Sequence, residues 1–563
     1  MKNQIALFTP QSYHARTIAP QTSLGVKYLL AAMLAFCLLL SSPIAAHGQG
    51  APFVNPQNID YRGDVITLRA APSRVIWAGI PVNTNTYSAS YRGRTFPASY
   101  APPTIRINSQ LTPELKLTLT NNIGKLNMPC VMDHGYTNLH YHGFEVTPVS
   151  PSDDVVNIKV PTNTSFNYVV PFPQIPGKKH PEGMFWYHPH PHGCSNAQVN
   201  DGLSGALIVG DLLRSRYPSL VGIREQILLL KDGSLTPAGA QKELEAVLAL
   251  ADNPQVQQAP PRITVNALDK PRISIGAGEF QFFRIGNVGS NAYVNLALPN
   301  VEAFIIAADG FPTERPIPLD SSKGWILPPG SRVEMIVRGP TRPGVYQLVS
   351  LPLPAARVPD EVLATLEVPL TAAKRDPKSE ARQNALQKEP STPAAFYPLM
   401  SDFANPQSAL QCQYPTPSPD PRYTFIFTQG GGQFFMNGRT YDENRVDVTC
   451  PIPSRPTWTI FNNTGQHHTF HIHQIHFRVD KIGDHVVTED EAPIRDNVDV
   501  PPNTVVTMTM AFDETYLAGE FVLHCHILAH EDRGMMMNIQ LHLLNAGKTD
   551  EDQPRQAKLG KVK

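Results

Sequence analysis

Thirteen of the chain's nineteen histidines fall in four short windows, and any fold for it must seat those windows. The first is His140-Tyr-His142-Gly and the second is Trp186-Tyr-His188-Pro-His190-Pro-His192-Gly. The third runs His467-His468-Thr-Phe-His471-Ile-His473-Gln-Ile-His476. The fourth runs His524-Cys525-His526-Ile-Leu-Ala-His530-Glu-Asp-Arg-Gly-Met535. Two histidines at i and i+2 of a strand point to the same face. Each His-x-His pair can therefore offer two imidazoles to one metal cluster. Imidazole suits copper, zinc, iron and nickel, so the pairs alone do not name the metal. A lone pair of this kind is more often a chance surface or core pair, and a lone cysteine among histidines is equally a zinc ligand. Four windows in one chain are not reached by chance.

The fourth window narrows the metal. One cysteine, two histidines and a more distant methionine are the ligand set of a blue-copper site. The set here is Cys525, His468, His530 and Met535. His524 and His526 flank Cys525 and point to the opposite face of the strand. One tripeptide thus joins a blue-copper site to a second metal site through covalent bonds, which suits the passage of electrons.

The rest of the chain reads as β-structure. At 563 residues it is too long for one core and suits three or four domains. Short runs such as TIRINSQLTPELKLTLTNN and RVEMIVRGP are rich in Val, Ile and Thr and bounded by Pro, Gly and Asn. They read as strands of β-sandwiches. One such block covers 55–215, a second 220–372 and a third 422–545. The segment 236–253 carries Leu244, Val247, Leu248 and Leu250 and suits a short amphipathic helix. Residues 373–421, rich in Pro, Lys, Glu, Gln and Ser, read as a surface linker, and 546–563 as a charged tail. A formal net charge of -1 asks for no nucleic acid.

The N-terminus suggests export. Arg16 and Lys27 precede the apolar run Tyr28–Leu40, followed by the small residues of SSPIAAHG. That pattern predicts a secretory signal over 1–48, cleaved near Ala46 to Gly48, with an uncleaved anchor as the alternative. The mature protein is then secreted or periplasmic, with no stable membrane insertion. Export permits disulfides. Cys130, Cys194, Cys412 and Cys450 allow three pairings. Loop closure within a domain favours Cys130 with Cys194 and Cys412 with Cys450, while buried thiols are the alternative.

The four windows resemble the copper-binding signatures of the multicopper oxidases, the family of laccases, bilirubin oxidases, bacterial cuprous oxidases and spore-coat laccases. The resemblance covers about 55–545. The middle block adds RITVNALDKPRISIGAGEFQFFRIGN, and the last adds FFMNGRTYD and RDNVDVPPNTVVTMTMAF. The stretch HCHILAHEDRGMM is similar to bacterial members. The resemblance implies an all-β fold of three cupredoxin-like Greek-key sandwiches. It also implies four copper ions per chain: one type 1, one type 2 and two type 3. The type 2 ion falls to His140 and His471. The type 3 pair falls to His142, His188, His190, His473, His524 and His526. The type 1 ion falls to His468, Cys525, His530 and Met535. His192, His467 and His476 match no ligand position. The third signature usually reads His-Pro-x-His-x-His-Gly; Thr469 replaces the Pro here and Gln474 the Gly, which leaves the local loop shape open.

Two acids complete the set. Reduction of O₂ to water consumes four protons, so such a site needs a proton route. Glu531 matches the family's acid near the dioxygen channel. Asp153, in Ser-Asp-Asp-Val, matches the second acid, with Asp154 the neighbouring candidate and an ordinary turn residue the bland reading.

The resemblance implies an enzyme that oxidises a small reducing substrate one electron at a time and reduces O₂ to water, acting as a monomer. Phenols, aromatic amines and metal ions all qualify as donors. The only methionine cluster is Met535–Met537, which favours organic donors over the alternative of a cuprous or metal-ion oxidase in copper tolerance. A copper nitrite reductase would lack the full set of paired histidines. A non-catalytic scaffold of this family would show gaps among its ligands, and none is present here.

Overall fold

The computed structural model describes residues 50–109, 111–174, 180–233, 235, 262–356, 361–370, 378–387 and 425–544. The signal-like segment, the amphipathic 236–253 segment and the 546–563 tail lie outside them. No helix among the described residues is long and apolar enough to cross a membrane.

Strand after strand follows a two-residue period. In Glu114–Asn121 the residues Leu115, Leu117 and Leu119 are buried, and the Glu, Lys and Thr positions between them are partly exposed. One face packs and the other meets water. Each fully buried Leu of this kind contributes about 1.5–3 kcal/mol.

The strands form three pairs of sheets in chain order. In the first pair, Asn58–Asp60, Thr104–Ile107, Gly205–Val209, Gly183–His188 and His140–His142 face Thr164–Pro171, Glu114–Asn121, Ile66–Trp77, Ile80–Tyr91 and Arg94–Ser99 across a common core. The second pair is built around Arg332–Arg338, which lies between Phe280–Asn287 and Glu302–Ala308. That strand is covered on both faces. Val333, Met335 and Val337 enter the sandwich core, and Ile336 packs outward on Leu212, Tyr217 and Leu220. In the third pair, the sheet Val448–Ile452, Met536–Leu543, Gly519–Cys525, His468–Ile472, Asn497–Val500 packs on one containing Phe425–Gly430, Thr457–Asn462 and Val505–Thr509. Parallel and antiparallel neighbours mix in each pair: Ile66–Trp77 runs parallel to Glu114–Asn121 and antiparallel to Ile80–Tyr91. This is the cupredoxin arrangement that the family resemblance implied, three times over.

Part of the stretch that reads as a linker is a helix, Ser379–Gln387, whose Leu386 is buried among Leu212, Tyr217, Leu220 and Phe280. The run of Glu, Ala, Arg, Gln and Leu favours helix locally. The prolines on either side hid it in the average composition.

Candidate metal centre

Pairing places the four windows. His140–His142 runs antiparallel to Gly183–His188, with His140 opposite His188 and His142 opposite Trp186. His468–Ile472 runs antiparallel to Gly519–Cys525, with Phe470 opposite Cys525 and His471 opposite His524. Strand alternation then sorts the side chains. Phe470 and Cys525 turn into the core of the third sandwich. His471 and His524 turn the other way, towards the first. There the pairs interleave ring on ring. His140 stacks on His473 with centroids 3.7 Å apart, and His142 stacks on His471 at 4.0 Å.

Eight histidines meet at this junction, each at most 3% exposed. The Nε2 atom of His524 lies 3.2 Å from that of His190 and 3.3 Å from that of His473. Nitrogens about 2.0–2.1 Å from a shared tetrahedral ion stand about 3.3 Å apart. His142, His188 and His526 form a second group, with ring centroids 4.8–5.9 Å apart. His140 and His471 lie at 6.0 Å. The expected type 3 and type 2 histidines are thus all brought to one place.

The ring nitrogens fit a cationic occupant. His140 Nδ1–H donates to Asp153, His471 Nδ1–H to the carbonyl of Asp496 at 2.7 Å, and His188 Nδ1–H to the carbonyl of Pro189 at 3.0 Å. Each bond fixes a tautomer and leaves Nε2 as a lone pair facing inward. Those inward atoms, His140, His188 and His471 Nε2, are buried with no hydrogen-bond partner in the protein, as are His142 Nδ1, His473 Nδ1 and both ring nitrogens of His526. So many unpartnered ring nitrogens in one dry spot would be costly without a cation. Burial, reinforced by the neighbouring imidazoles, holds His142, His188, His471, His473 and His526 well below the ordinary histidine range and His190 at about 3. The rings are neutral, which is the ligating form.

The second site lies on the other face of the same strand. Cys525 Sγ is 3.6 Å from His468 Nδ1 and 3.7 Å from His530 Nδ1, and the two nitrogens are 3.2 Å apart. His468 Nε2 contacts the Thr464 hydroxyl at 2.9 Å, which leaves its Nδ1 for the sulfur side. Met535 is fully buried in the same core, and its carbonyl accepts the Cys525 N–H at 3.0 Å. Burial pushes the Cys525 thiol up to about 12. Only a bound cation would make it a thiolate at neutral pH. His530 alone of the four is partly exposed, and Phe434 stacks on it at 3.9 Å.

Both expected acids are at the centre. Asp153 is fully buried; its two oxygens meet His140 Nδ1 at 3.1 and 3.0 Å, and Oδ1 accepts the Tyr141 N–H. Asp154 bonds Asn157 instead. Glu531 Oε2 lies 3.0 Å from His524 Nδ1, and Oε1 lies 3.7 Å from His190 Nε2. Neither carboxylate oxygen has an aligned donor. Burial alone would raise the Glu531 carboxyl, but His190 and His524 hold it below the ordinary range. Next to it, Asp532 accepts the N–H groups of Ser195 and Asn196 at 3.1 and 3.0 Å, capping the helix Ser195–Asp201 that follows the second window.

The histidines without an expected ligand role form an outer layer. His467 donates Nδ1–H to Asp499, His476 donates to Glu145 and to the carbonyl of Asp309, and His192 packs on Tyr441. Several residues of this layer were not singled out from sequence. Asp496 meets His142 Nε2 at 3.3 Å through Oδ1 and receives Arg332 in a two-pronged ion pair at 2.7 and 2.6 Å. Trp186 stacks on His188 at 4.1 Å. Asp496 sits in the quoted run RDNVDV, but nothing in that run says which metal side it faces. Arg332 lies in the middle sandwich, far from every histidine window in sequence. Cys130 and Cys194 form a disulfide, as loop closure favoured; Cys450 is also disulfide-bonded, and Cys412 lies outside the described residues.

Fold and donor set together define a cupredoxin-class metalloprotein with a cysteine-containing site wired to a histidine cluster. Two family profiles described as multicopper oxidase match the chain, over 90–213 and 414–542. The chain is 26% identical over 438 residues to a multicopper oxidase of Staphylococcus aureus, spanning 77% of this chain and 82% of that one. It is 23% identical over 385 residues to the laccase of Bacillus subtilis, spanning 63% and 69%. Among solved structures, a Campylobacter jejuni multicopper oxidase described as a metallo-oxidase superposes with TM-score 0.60 at 21% identity, covering 88% of this chain and 95% of that one. An Aquifex aeolicus multicopper oxidase gives 0.63 at 18%, covering 88% and 100%. The chain belongs to the multicopper oxidase family and is an oxidoreductase.

Proposed function

We propose that the enzyme is laccase-like, taking single electrons from small organic donors such as phenols or aromatic amines and reducing O₂ to water. When bound, one copper at the cysteine site and three at the histidine cluster would supply the electron acceptance and the oxygen chemistry. The observation that carries this reading is the tripeptide His524-Cys525-His526, with its sulfur facing one site and its imidazoles the other.

The residues divide the work. His468, Cys525, His530 and Met535 hold the type 1 copper. His530 offers the partly exposed edge that a donor can reach without touching the metal. His140 and His471 hold the type 2 ion, and the other six histidines hold the type 3 pair. Asp153 orients His140 by accepting its Nδ1–H. Glu531 can take up and release a proton beside His524 without binding metal. The burial of all eight cluster histidines excludes bulk water and side reactions.

Organic donors are favoured because the one methionine run, Met535–Met537, is buried in the core. Metal ions remain the second class of donor, as in a metal-tolerance oxidase. An exported location is supported by the disulfide Cys130–Cys194 and the signal-like N-terminal sequence.

Metal analysis of the purified protein tests the reading. The expected result is a copper-to-protein ratio near four with a blue colour that Cys525→Ser abolishes together with oxidase activity. A ratio near two would indicate a simpler copper reductase, and one near zero a scaffold. A Cys525→Ser protein that stays blue would remove the assignment.

A further inference from the structure

Gln474 stands where the family signature carries Gly, directly after His473. Its backbone keeps the conformation that Gly would favour, with φ of +70°. A side chain in that region is strained, and such strain persists where the surroundings over-determine it. Gln474 is also 1% exposed, and its Oε1 is buried with no hydrogen-bond partner. A group kept for packing alone would carry neither cost.

Both costs are set against the grip of its amide on Asp153, which includes a longer bond to the Asp153 carbonyl at 3.4 Å. Gln474 Nε2–H donates to Asp153 Oδ2 at 2.8 Å. Asp153 otherwise holds His140 Nδ1–H with both oxygens and accepts the Tyr141 N–H with Oδ1. Tyr141 thus fixes one oxygen and Gln474 the other, so the carboxylate cannot turn about its Cβ–Cγ bond. His473, the residue before, stacks its ring on His140 at 3.7 Å. The third sandwich therefore grips His140 twice, through the face of its ring and through the carboxylate behind it.

We propose that Gln474 is a positioning residue for the type 2 copper, called the mononuclear copper below: it locks the Asp153 carboxylate so that His140 keeps Nδ1–H outward and Nε2 towards the metal. This rests on the copper reading given above. A carboxylate behind a ligating histidine commonly changes metal affinity by about 10–100-fold when disturbed. The clamp on that carboxylate should be felt through the same bond.

The test uses the holoenzyme with Gln474→Gly and Gln474→Asn. Gly removes the amide and relieves the left-handed backbone. Asn tolerates that backbone, but its amide is one methylene short. Each protein is challenged with a graded series of a copper chelator, and the electron paramagnetic resonance signal of the mononuclear copper is followed beside the blue band and the melting temperature. Both variants should lose the mononuclear signal at a chelator concentration at least about tenfold lower than wild type. The blue band should be unchanged, and the Gly variant should melt at or above the wild-type temperature. A weaker site in a protein that is no less stable separates positioning from mere packing. If the Gly variant keeps its mononuclear signal to the wild-type chelator concentration, Gln474 only fills space and the proposal falls. A wild-type protein without that signal would overturn the copper reading itself, and this proposal with it.

Discussion

Glu531 is the side chain at which the chemistry most depends on one atom pair. Its carboxylate is buried, lies 3.0 Å from His524 Nδ1 and lacks an aligned donor. Glu531→Gln keeps the shape and removes the titratable group. Copper content and the rate of type 1 reduction by substrate should be nearly unchanged, while reoxidation by O₂ slows, most at high pH where solvent protons are scarce. Rapid mixing of the reduced variant with O₂ measures this; wild-type reoxidation with slow type 1 reduction would move Glu531 to the donor side. His180 makes a pH prediction away from the metals. Glu145 N–H donates to its Nε2 at 3.1 Å and its Nδ1–H donates to the Pro181 carbonyl, so the ring is neutral. Burial lowers it to about 4 from 6.5. Below 6.5 the unfolded chain takes up the proton first, so stability present above 6.5 is lost as pH falls towards 4. From pH 7 to 5 the loss is about 2 kcal/mol. His180→Gln should flatten the denaturation midpoint against pH over that window relative to wild type, and an equal slope in both proteins would rule it out.

Elements hold the windows by different means. Paired strands carry His140–His142 and His468–Ile472, but the second window runs past its strand, which ends at His188, into the loop that leads to the helix Ser195–Asp201. That loop is secured by the disulfide Cys130–Cys194, which spans 64 residues, and by Asp532 at the helix start. Closing a loop of that length stabilises by about 4 kcal/mol on the chain-entropy argument. The double substitution of Cys130 and Cys194 by Ala should lower unfolding stability in denaturant by that order. A change below about 1 kcal/mol would mean the reduced chain is already held together there. The strand grammar of these elements was legible in the sequence because a half-buried strand must alternate, as Leu115, Leu117 and Leu119 do. The helix Ser379–Gln387 was masked by the prolines around it, and its seating, Leu386 against Tyr217 and Phe280, was decided far away in sequence.

At the scale of the molecule, the middle sandwich contributes no expected metal ligand yet reaches the centre. Arg332 leaves its strand to pair with Asp496 of the third sandwich, and Asp496 touches His142 of the first. Gly143 is required at this crossing, because a Cβ there would stand 2.4 Å from Asp496 Oδ2, in a backbone with φ of +84°. Arg332→Met takes from the buried Asp496 carboxylate its guanidinium partner and should cost about 3–5 kcal/mol, with part recovered in the double variant Arg332→Met/Asp496→Asn. Denaturation of Arg332→Met, of Asp496→Asn and of the double variant measures the coupling; additive losses would show that the pair does not act as a unit.

Residue spacing determined the rest in advance. His-x-His on a strand must share a face, and a cysteine between two histidines must oppose them, so the opposed cysteine and histidine clusters and the β-architecture were readable from one dimension, while the sharing of the histidines among particular copper ions came from the family resemblance. Partners that approach from other sandwiches were decided only by the tertiary structure. Asp153 over Asp154, the Arg332 clamp and the grip of Gln474 on Asp153 each depend on which side chains meet across a sandwich junction or a turn. Local spacing carries no information about such contacts, because they are fixed by how separate cores pack rather than by the period of any one strand.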